Sequence, residues 1–405
     1  MTKKRILFIH KNYPAQFGAL GGWLSQQGWD VTFATARKDV TQSPFDVVKF
    51  ESHREGTEGI HQYLVGVEEG IIAGQGFART AISLRNNGYV PDVVVAHSGW
   101  GVGTFVKDIW PQTAFVPYLE WFYASPAKDV TPHDKKPGDP VDHSAKTRVR
   151  NTPFWLDMSG ASVGLCPTNF QASQFPPMLL ERMMVMHDGI DTELHKPGPR
   201  NPELMEELGI PMDAKILTWV TRGMEPARGF PEMMAALSEL QKKHDNLHTI
   251  IVGEDRVAYG AKGAGSWKDK MLAAHEYDLS RIHFTGLVSR NRMIEVLRAG
   301  DTHLYLTAPF VLSWSMLDAM SCGAKLVASD VAPVREFIED GKNGFLVDTY
   351  DHKALVNKVS EVLMNDANTG EAARELIVNR YDAKSIIYPA KEAFFSSLIE
   401  PYEEE

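Results

Sequence analysis

The chain has 405 residues, 43% hydrophobic and 23% charged, and a formal net charge of −10. This length exceeds one ordinary core and implies a globular protein of two domains, roughly 150 to 200 residues each. The negative balance argues against a general nucleic-acid binder, whose surface must be basic to displace counterions. Cys166 and Cys322 are the two cysteines, each among apolar or small residues. They are read as buried thiols with no disulfide framework or zinc spacing, as suits a cytoplasmic protein. The opening "MTKKRILFIHKNYP" has an apolar run too short for a signal peptide, and no apolar stretch reaches the ~18 residues of a membrane span.

Strand and helix patterns alternate from the start. "RILFI" (5–9), "DVTFA" (30–34), "DVVVAH" (92–97), "TAFVPY" (113–118), "SVGLC" (162–166) and "MMVMH" (183–187) read as strands, with helices near 15–27 and 59–86. Strands apolar at every position suit a parallel sheet covered on both faces. The polar, proline-rich stretch 124–144 reads as a long loop, either mobile decoration or a binding lid.

"HKPGPRNPE" (195–203), with three prolines, reads as an interdomain linker. The alternation then restarts with "KILTWV", "HTIIVG", "RIHFTG", "THLYLT", "KLVAS" and "GFLV". The expected fold is α/β, two facing Rossmann-like domains, each a mostly parallel doubly wound sheet. The domains are placed at 1–195 and 196–384, and a C-terminal helix within 385–405 is free to pack back on the first. Ligands of such sheets sit beyond the carboxyl ends of the strands.

Two stretches fall at such ends. In "TWVTRGMEPARGFPEMMAAL" (218–237), Arg222 and Arg228 follow the first strand of the second half, where guanidinium groups match the oxygens of a diphosphate. In "LTAPFVLSWSMLDAMSCGAKLVAS" (306–329), Ser313 or Ser315 caps a helix that Gly323 ends, so backbone N–H groups there can receive an anion. Asp318, a turn in, serves either the helix dipole or a ligand.

These stretches, with "HDGID" (187–191) before the second half, resemble the family 4 retaining glycosyltransferases of the GT-B fold. "FIHKNYPAQF" and "HSGWG" look like an exopolysaccharide-type branch of that family. The resemblance covers nearly the whole chain. It implies a nucleotide-diphosphate sugar held by the C-terminal domain, a hydroxyl-bearing acceptor held by the N-terminal domain, and transfer with retained anomeric configuration. Arg222 and Arg228 match the family's basic pair on the diphosphate, and Asp318 matches the second acid of its E-x7-E motif, which binds ribose hydroxyls. The first acid position is Phe310, a departure that leaves the donor sugar without its usual carboxylate. By the same resemblance the 310–315 segment (Phe310, Val311, Leu312, Ser313, Trp314, Ser315) borders the donor, and Val288 in "GLVSR" borders the base.

Other positions keep two readings. Gly21 and Gly22 either bring backbone to the phosphates or pack a helix. His97, at a strand end, is an acceptor contact or a structural histidine. Glu120 lies near the family's functional histidine and is either a catalytic-site carboxylate or an ion-pair partner, while Glu254 in "GEDR" lines the cleft or sits on a solvated turn. "KTRVRNTPFW" (146–155), with three basic residues beside aromatics, is a solvated face or a contact to an anionic bilayer at the inner membrane. No cofactor and no metal are expected, since arginines replace a cation and no D-x-D follows a strand. The alternatives are a non-hydrolysing nucleotide-sugar epimerase and a two-lobed solute-binding protein, the latter without its export signal.

Overall fold

The computed structural model describes residues 3–134, 138–258, 265–365 and 368–399. In the first strand, Ile6 and Phe8 join one buried cluster while Leu7 and Ile9 join another. Successive strand residues point to opposite faces, so a run apolar at every position has to be covered on both. The same split recurs at Ile216 and Val220 against Leu217 and Trp219. Each sheet is therefore a middle layer between two apolar layers.

The first sheet contains β1 (Arg5–His10), β2 (Asp30–Thr35), β3 (Asp46–Lys49), β4 (Val93–His97), β5 (Ala114–Tyr118), β6 (Gly164–Cys166) and β7 (Met183–Val185), in the order β3-β2-β1-β4-β5-β6-β7. All its pairings are parallel. The second contains β8 (Lys215–Gly223), β9 (Leu247–Glu254), β10 (Ile282–Gly286), β11 (Thr302–Tyr305), β12 (Leu326–Ser329) and β13 (Phe345–Val347), in the order β10-β9-β8-β11-β12-β13. It too is parallel throughout. Both orders reverse once, between β1 and β4 and between β8 and β11, which is the doubly wound topology and marks where a ligand crevice opens.

By its contacts the chain forms two compact units, Met1–Ala127 with Pro137–Gly189 and Ala383–Glu405, and Lys128–Lys136 with Ile190–Asp382. In the first, the helix Tyr388–Ser397 buries Phe395 in the cluster that holds Ile6 and Phe8. Cys166 and Cys322 are buried thiols. Among the described residues no helix is long and apolar enough to cross a membrane.

Several expectations need correction. β3 was not expected, because its burial is intermediate at the centre and exposed at both ends, as an edge strand allows. The end of the 124–144 stretch is helical: Asp139 accepts from the N–H groups of Val141 and Asp142 and starts a helix at Pro140–Arg150. Proline at the first helical position is favourable there, whereas in the sequence it suggested loop. Residues 195–203 are packed chain inside the second unit. Arg200 bonds the carbonyls of Ala299 and Ala214 and the Asp301 carboxylate, and Asn201 caps the helix Pro202–Leu208.

Candidate functional site

The second unit has a cavity of about 280 Å³ at the carboxyl end of its sheet. Its walls come from three places: Val220, Thr221 and Arg222 at the end of β8, Leu287, Val288 and Arg290 after β10, and Ser313, Trp314, Ser315 and Asp318 around the start of the helix Trp314–Ser321. Ser313 caps that helix, accepting from the Ser315 N–H at 3.4 Å, and the Ser315 hydroxyl donates to the Val220 carbonyl at 3.3 Å, fastening the helix start to β8. Gly323, with φ +76°, ends the helix in the left-handed region. A helix N-terminus and the Arg222 and Arg290 guanidinium groups thus share one cavity, the electrostatic setting that suits an anion.

Asp318 retains 14% side-chain exposure, and its Oδ1 lies 3.5 Å from Nε2 of buried His195. Burial pushes the Asp318 carboxyl above the ordinary aspartate range, while His195 and Arg290 pull it back. His195 is fixed on its other edge, Nδ1 donating to the Asp191 carbonyl at 3.1 Å.

Arg228 is not among the lining residues of this cavity. It is 4% exposed, and its guanidinium donates to the Thr307 hydroxyl at 2.8 Å and the Val311 carbonyl at 3.1 Å. It also stands 5.9 Å from the Phe310 ring centroid. The arginine therefore holds the 307–311 segment from behind, and Phe310 offers it an aromatic face. Gly229 follows because its φ is +65° and a Cβ there would come within 2.3 Å of Leu306. Leu312 is buried in the core, and Glu254, paired with Arg256, is outside the cavity lining.

In the first unit, His97 at the end of β4 and Glu120 after β5 meet: Nε2 to Oε2 is 3.3 Å. Gln16 donates to the other oxygen of Glu120 at 3.0 Å. The His97 ring stacks on Trp100 at 4.7 Å, and His10, from the end of β1, meets both rings edge-on. Burial, with His97 second, pushes His10 down to about 2, so it stays neutral. Gly21 and Gly22 do not lie at a loop-to-helix transition. Both are inside the helix Gly18–Gln26, where a Cβ on Gly21 would stand 3.0 Å from the Phe45 ring, so close helix packing accounts for that glycine.

The sequence reading missed His195 and Arg290. Arg290 stood within reach, two residues past Val288 at the start of the helix Arg290–Ala299. His195 gave no local signal, because it sits in a proline-rich stretch and its partner is far along the chain.

Fold and site together define an α/β protein of two Rossmann-like domains with an anion-suited cavity at the strand ends of the second. The model for the glycosyl transferase family 4 group matches residues 27–195, and that for glycosyl transferases group 1 matches residues 200–381, most of the chain between them. The chain belongs to the family 4 glycosyltransferases of the GT-B fold.

Relatives include the D-inositol 3-phosphate glycosyltransferase of Mycolicibacterium smegmatis, 29% identical over 187 residues, 45% of this chain and 40% of the relative. The phosphatidyl-myo-inositol mannosyltransferase of Mycobacterium leprae is 28% identical over 180 residues, 43% of this chain and 44% of the relative. The chain thus spans about two fifths of the length of these curated relatives. Among solved structures, sucrose-phosphate synthase from Thermosynechococcus elongatus aligns with a TM-score of 0.76 at 15% identity, covering 98% of this chain and 99% of the other. Anabaena HepE in complex with UDP-glucose aligns at 0.71 and 17% identity, covering 97% and 99%. At those identities the likeness concerns the fold.

Proposed function

We propose that the protein is a retaining glycosyltransferase that moves a sugar from a nucleotide-diphosphate donor to a hydroxyl of a glycan, glycolipid or small-molecule acceptor in the cytoplasm. The observation that carries this reading is the cavity of the second unit, where Arg222, Asp318 and the helix start at Ser313 converge. Asp318 accepts from the ribose hydroxyls. Arg222, Arg290 and the helix N-terminus stabilise charge on the diphosphate as its bond to the sugar stretches, the electrostatic contribution that dominates such chemistry.

The anomeric carbon loses its bond to the diphosphate and gains one to the acceptor oxygen on the same face. The acceptor's proton passes to the departing phosphate oxygen, so no protein nucleophile takes part. Arg228 serves indirectly, by fixing the 307–311 segment. The His97–Glu120 pair of the first unit is the proposed acceptor contact, the partly exposed Glu120 carboxylate able to take a hydrogen bond from an acceptor hydroxyl while His97 holds it in place. Glu254, Gly21 and Gly22 have no place in this mechanism. With guanidinium groups and a helix end on the leaving group, no metal and no cofactor are required.

The experiment is product analysis with radiolabelled nucleotide sugars, beginning with UDP-glucose because HepE is described in complex with it. Label transferred to an acceptor supports the reading. Label recovered only in an epimerised nucleotide sugar, or only in bound donor, overturns it.

A further inference from the structure

The helix Tyr388–Ser397 brings a charge into the interior of the first unit. Its Lys391 side chain is 3% exposed, and the ammonium lies 3.1 Å from Oδ1 of Asp188, itself 7% exposed. Oδ2 of the same carboxylate accepts from the Tyr118 hydroxyl at 2.8 Å. Burial first and Asp188 second push the Tyr118 phenol well above its ordinary range, so that hydroxyl stays a donor. His187, next along the chain from Asp188, is pushed down to about 4 by burial and stays neutral, which leaves Lys391 to balance the carboxylate.

Tyr118 ends β5 and stands in register with His97 at the end of β4. Parallel register sets the two side chains next to each other on one face of the sheet, and their rings lie 5.8 Å apart. Phe17 meets the Tyr118 ring edge-on at 5.3 Å. His97 in turn meets Glu120, two residues beyond Tyr118. Contacts therefore run from the last helix to the His97–Glu120 pair in the order Lys391, Asp188, Tyr118, His97, Glu120. Among the described residues neither Lys391 nor Asp188 bonds His97 or Glu120, so their influence there passes through Tyr118.

Stability does not account for the buried ion pair. Desolvation of two charges offsets their attraction, and an apolar pair of similar volume commonly serves folding as well. What the pair supplies is direction. A carboxylate held on one oxygen by an ammonium fixes where the phenol hydroxyl points, and with it the ring on which His97 packs.

We propose, on the reading of the His97–Glu120 pair as the acceptor contact, that Tyr118, Asp188 and Lys391 are its positioning residues, the C-terminal helix holding His97 and Glu120 in place through them.

The test uses the full chain with nitrogen-labelled histidine, the His97 ring resonances being assigned by their loss in His97→Gln. Lys391→Met with Asp188→Asn removes both charges together, leaves no unpaired ion inside, and is expected to shift those resonances; Tyr118→Phe is expected to do the same. Glu392→Gln cuts the bond from Trp29 Nε1 to the same helix and is expected to leave them in place. In transfer of label from UDP-glucose, the double variant and Tyr118→Phe should each lower kcat/KM for the acceptor at least about tenfold, as a misplaced contact does. UDP affinity by calorimetry should stay that of the parent. Should the double variant fail to fold, Tyr118→Phe decides alone. Resonances unmoved in the folded variants, or moved as much by Glu392→Gln, would overturn the proposal, as would moved resonances with parental kcat/KM. Moved resonances in a chain that transfers no label would support the positioning contacts and count against the transferase reading instead.

Discussion

Nε2 of His195 faces Oδ1 of Asp318 at 3.5 Å, and the His195 Nδ1 proton is already given to the Asp191 carbonyl. In the neutral ring Nε2 therefore has only a lone pair to turn toward the Asp318 carboxyl at the edge of the cavity. The carboxylate form of Asp318 accepts from the two ribose hydroxyls with both oxygens and more strongly than the protonated form, in which one oxygen carries a proton. The carboxyl is raised by burial and lowered by His195, Arg290 also lowering it; Arg222 lines the same cavity and the Cys322 thiol is its other titratable neighbour.

Affinity for a ribonucleoside diphosphate is accordingly expected to rise with pH through the Asp318 titration, since binding favours the deprotonated form. His195→Phe removes a lowering influence and should move that midpoint to higher pH. Asp318→Asn should weaken ribonucleotides far more than their 2'- and 3'-deoxy analogues. Calorimetric titration across pH reads all three. An unmoved midpoint in His195→Phe, with equal losses across the deoxy series in Asp318→Asn, would remove both residues from the ribose site.

The two arginines of the 218–237 stretch should separate. Arg222→Ala is expected to weaken nucleoside-diphosphate binding by ~1.5 to 3 kcal/mol, the worth of a charged hydrogen bond, and to leave the thermal melt in place. Arg228→Ala leaves the Thr307 hydroxyl and the Val311 carbonyl without that donor, so it should lower stability by ~1 to 3 kcal/mol in denaturant titrations. Equal effects of the two substitutions on stability would contradict the division of roles.

Asp157 gives a pH dependence of folding. Burial pushes its carboxyl up to about 7, against the opposing influence of the Ser98 and Thr104 hydroxyls beside it. In the unfolded chain the group ionises near its ordinary value of 3.8. Its contribution to stability is thus greatest below about pH 4, declines as pH rises to about 7, and stays low above that. Asp157→Asn should stabilise the protein at pH 8, by at most ~4 kcal/mol, and much less at pH 4. Melting curves at the two values decide it, and a variant less stable at pH 8 than the parent would refute the account.

Phe310 makes a claim about the donor. A phenyl ring accepts no ordinary hydrogen bond, so a sugar hydroxyl removed opposite it leaves no acceptor unpaired. Donors deoxygenated at the 3- or 4-position are expected to lose less than about tenfold in kcat/KM, under ~1.4 kcal/mol. A loss of about a hundredfold or more would mean that another polar side chain binds those hydroxyls.

Turnover is also expected to survive EDTA, because guanidinium groups and the helix end carry the leaving-group charge. Activity lost on chelation and restored by magnesium would contradict this.

The sequence by itself determined whatever depends on neighbours along the chain. Apolar runs such as "RILFI" and "KILTWV" had to be covered on both faces, which fixed parallel sheets and their doubly wound class. Ser313 and Gly323 marked the ends of one helix because capping is a matter of a few residues. β3 and the helix Pro140–Arg150 escaped because neither has a fully buried position to impose a periodic pattern. Only the tertiary structure decided which charges face the cavity. Arg222 and Arg228 read alike in one loop, yet packing against Thr307 and Val311 buries the second and leaves the first at the cavity wall. Likewise His195 and Asp318, or His97 and Glu120, come together because separate strands and loops end at the same edge of a sheet. Burial and pairing of that kind are set by contacts between distant segments, which no local spacing encodes.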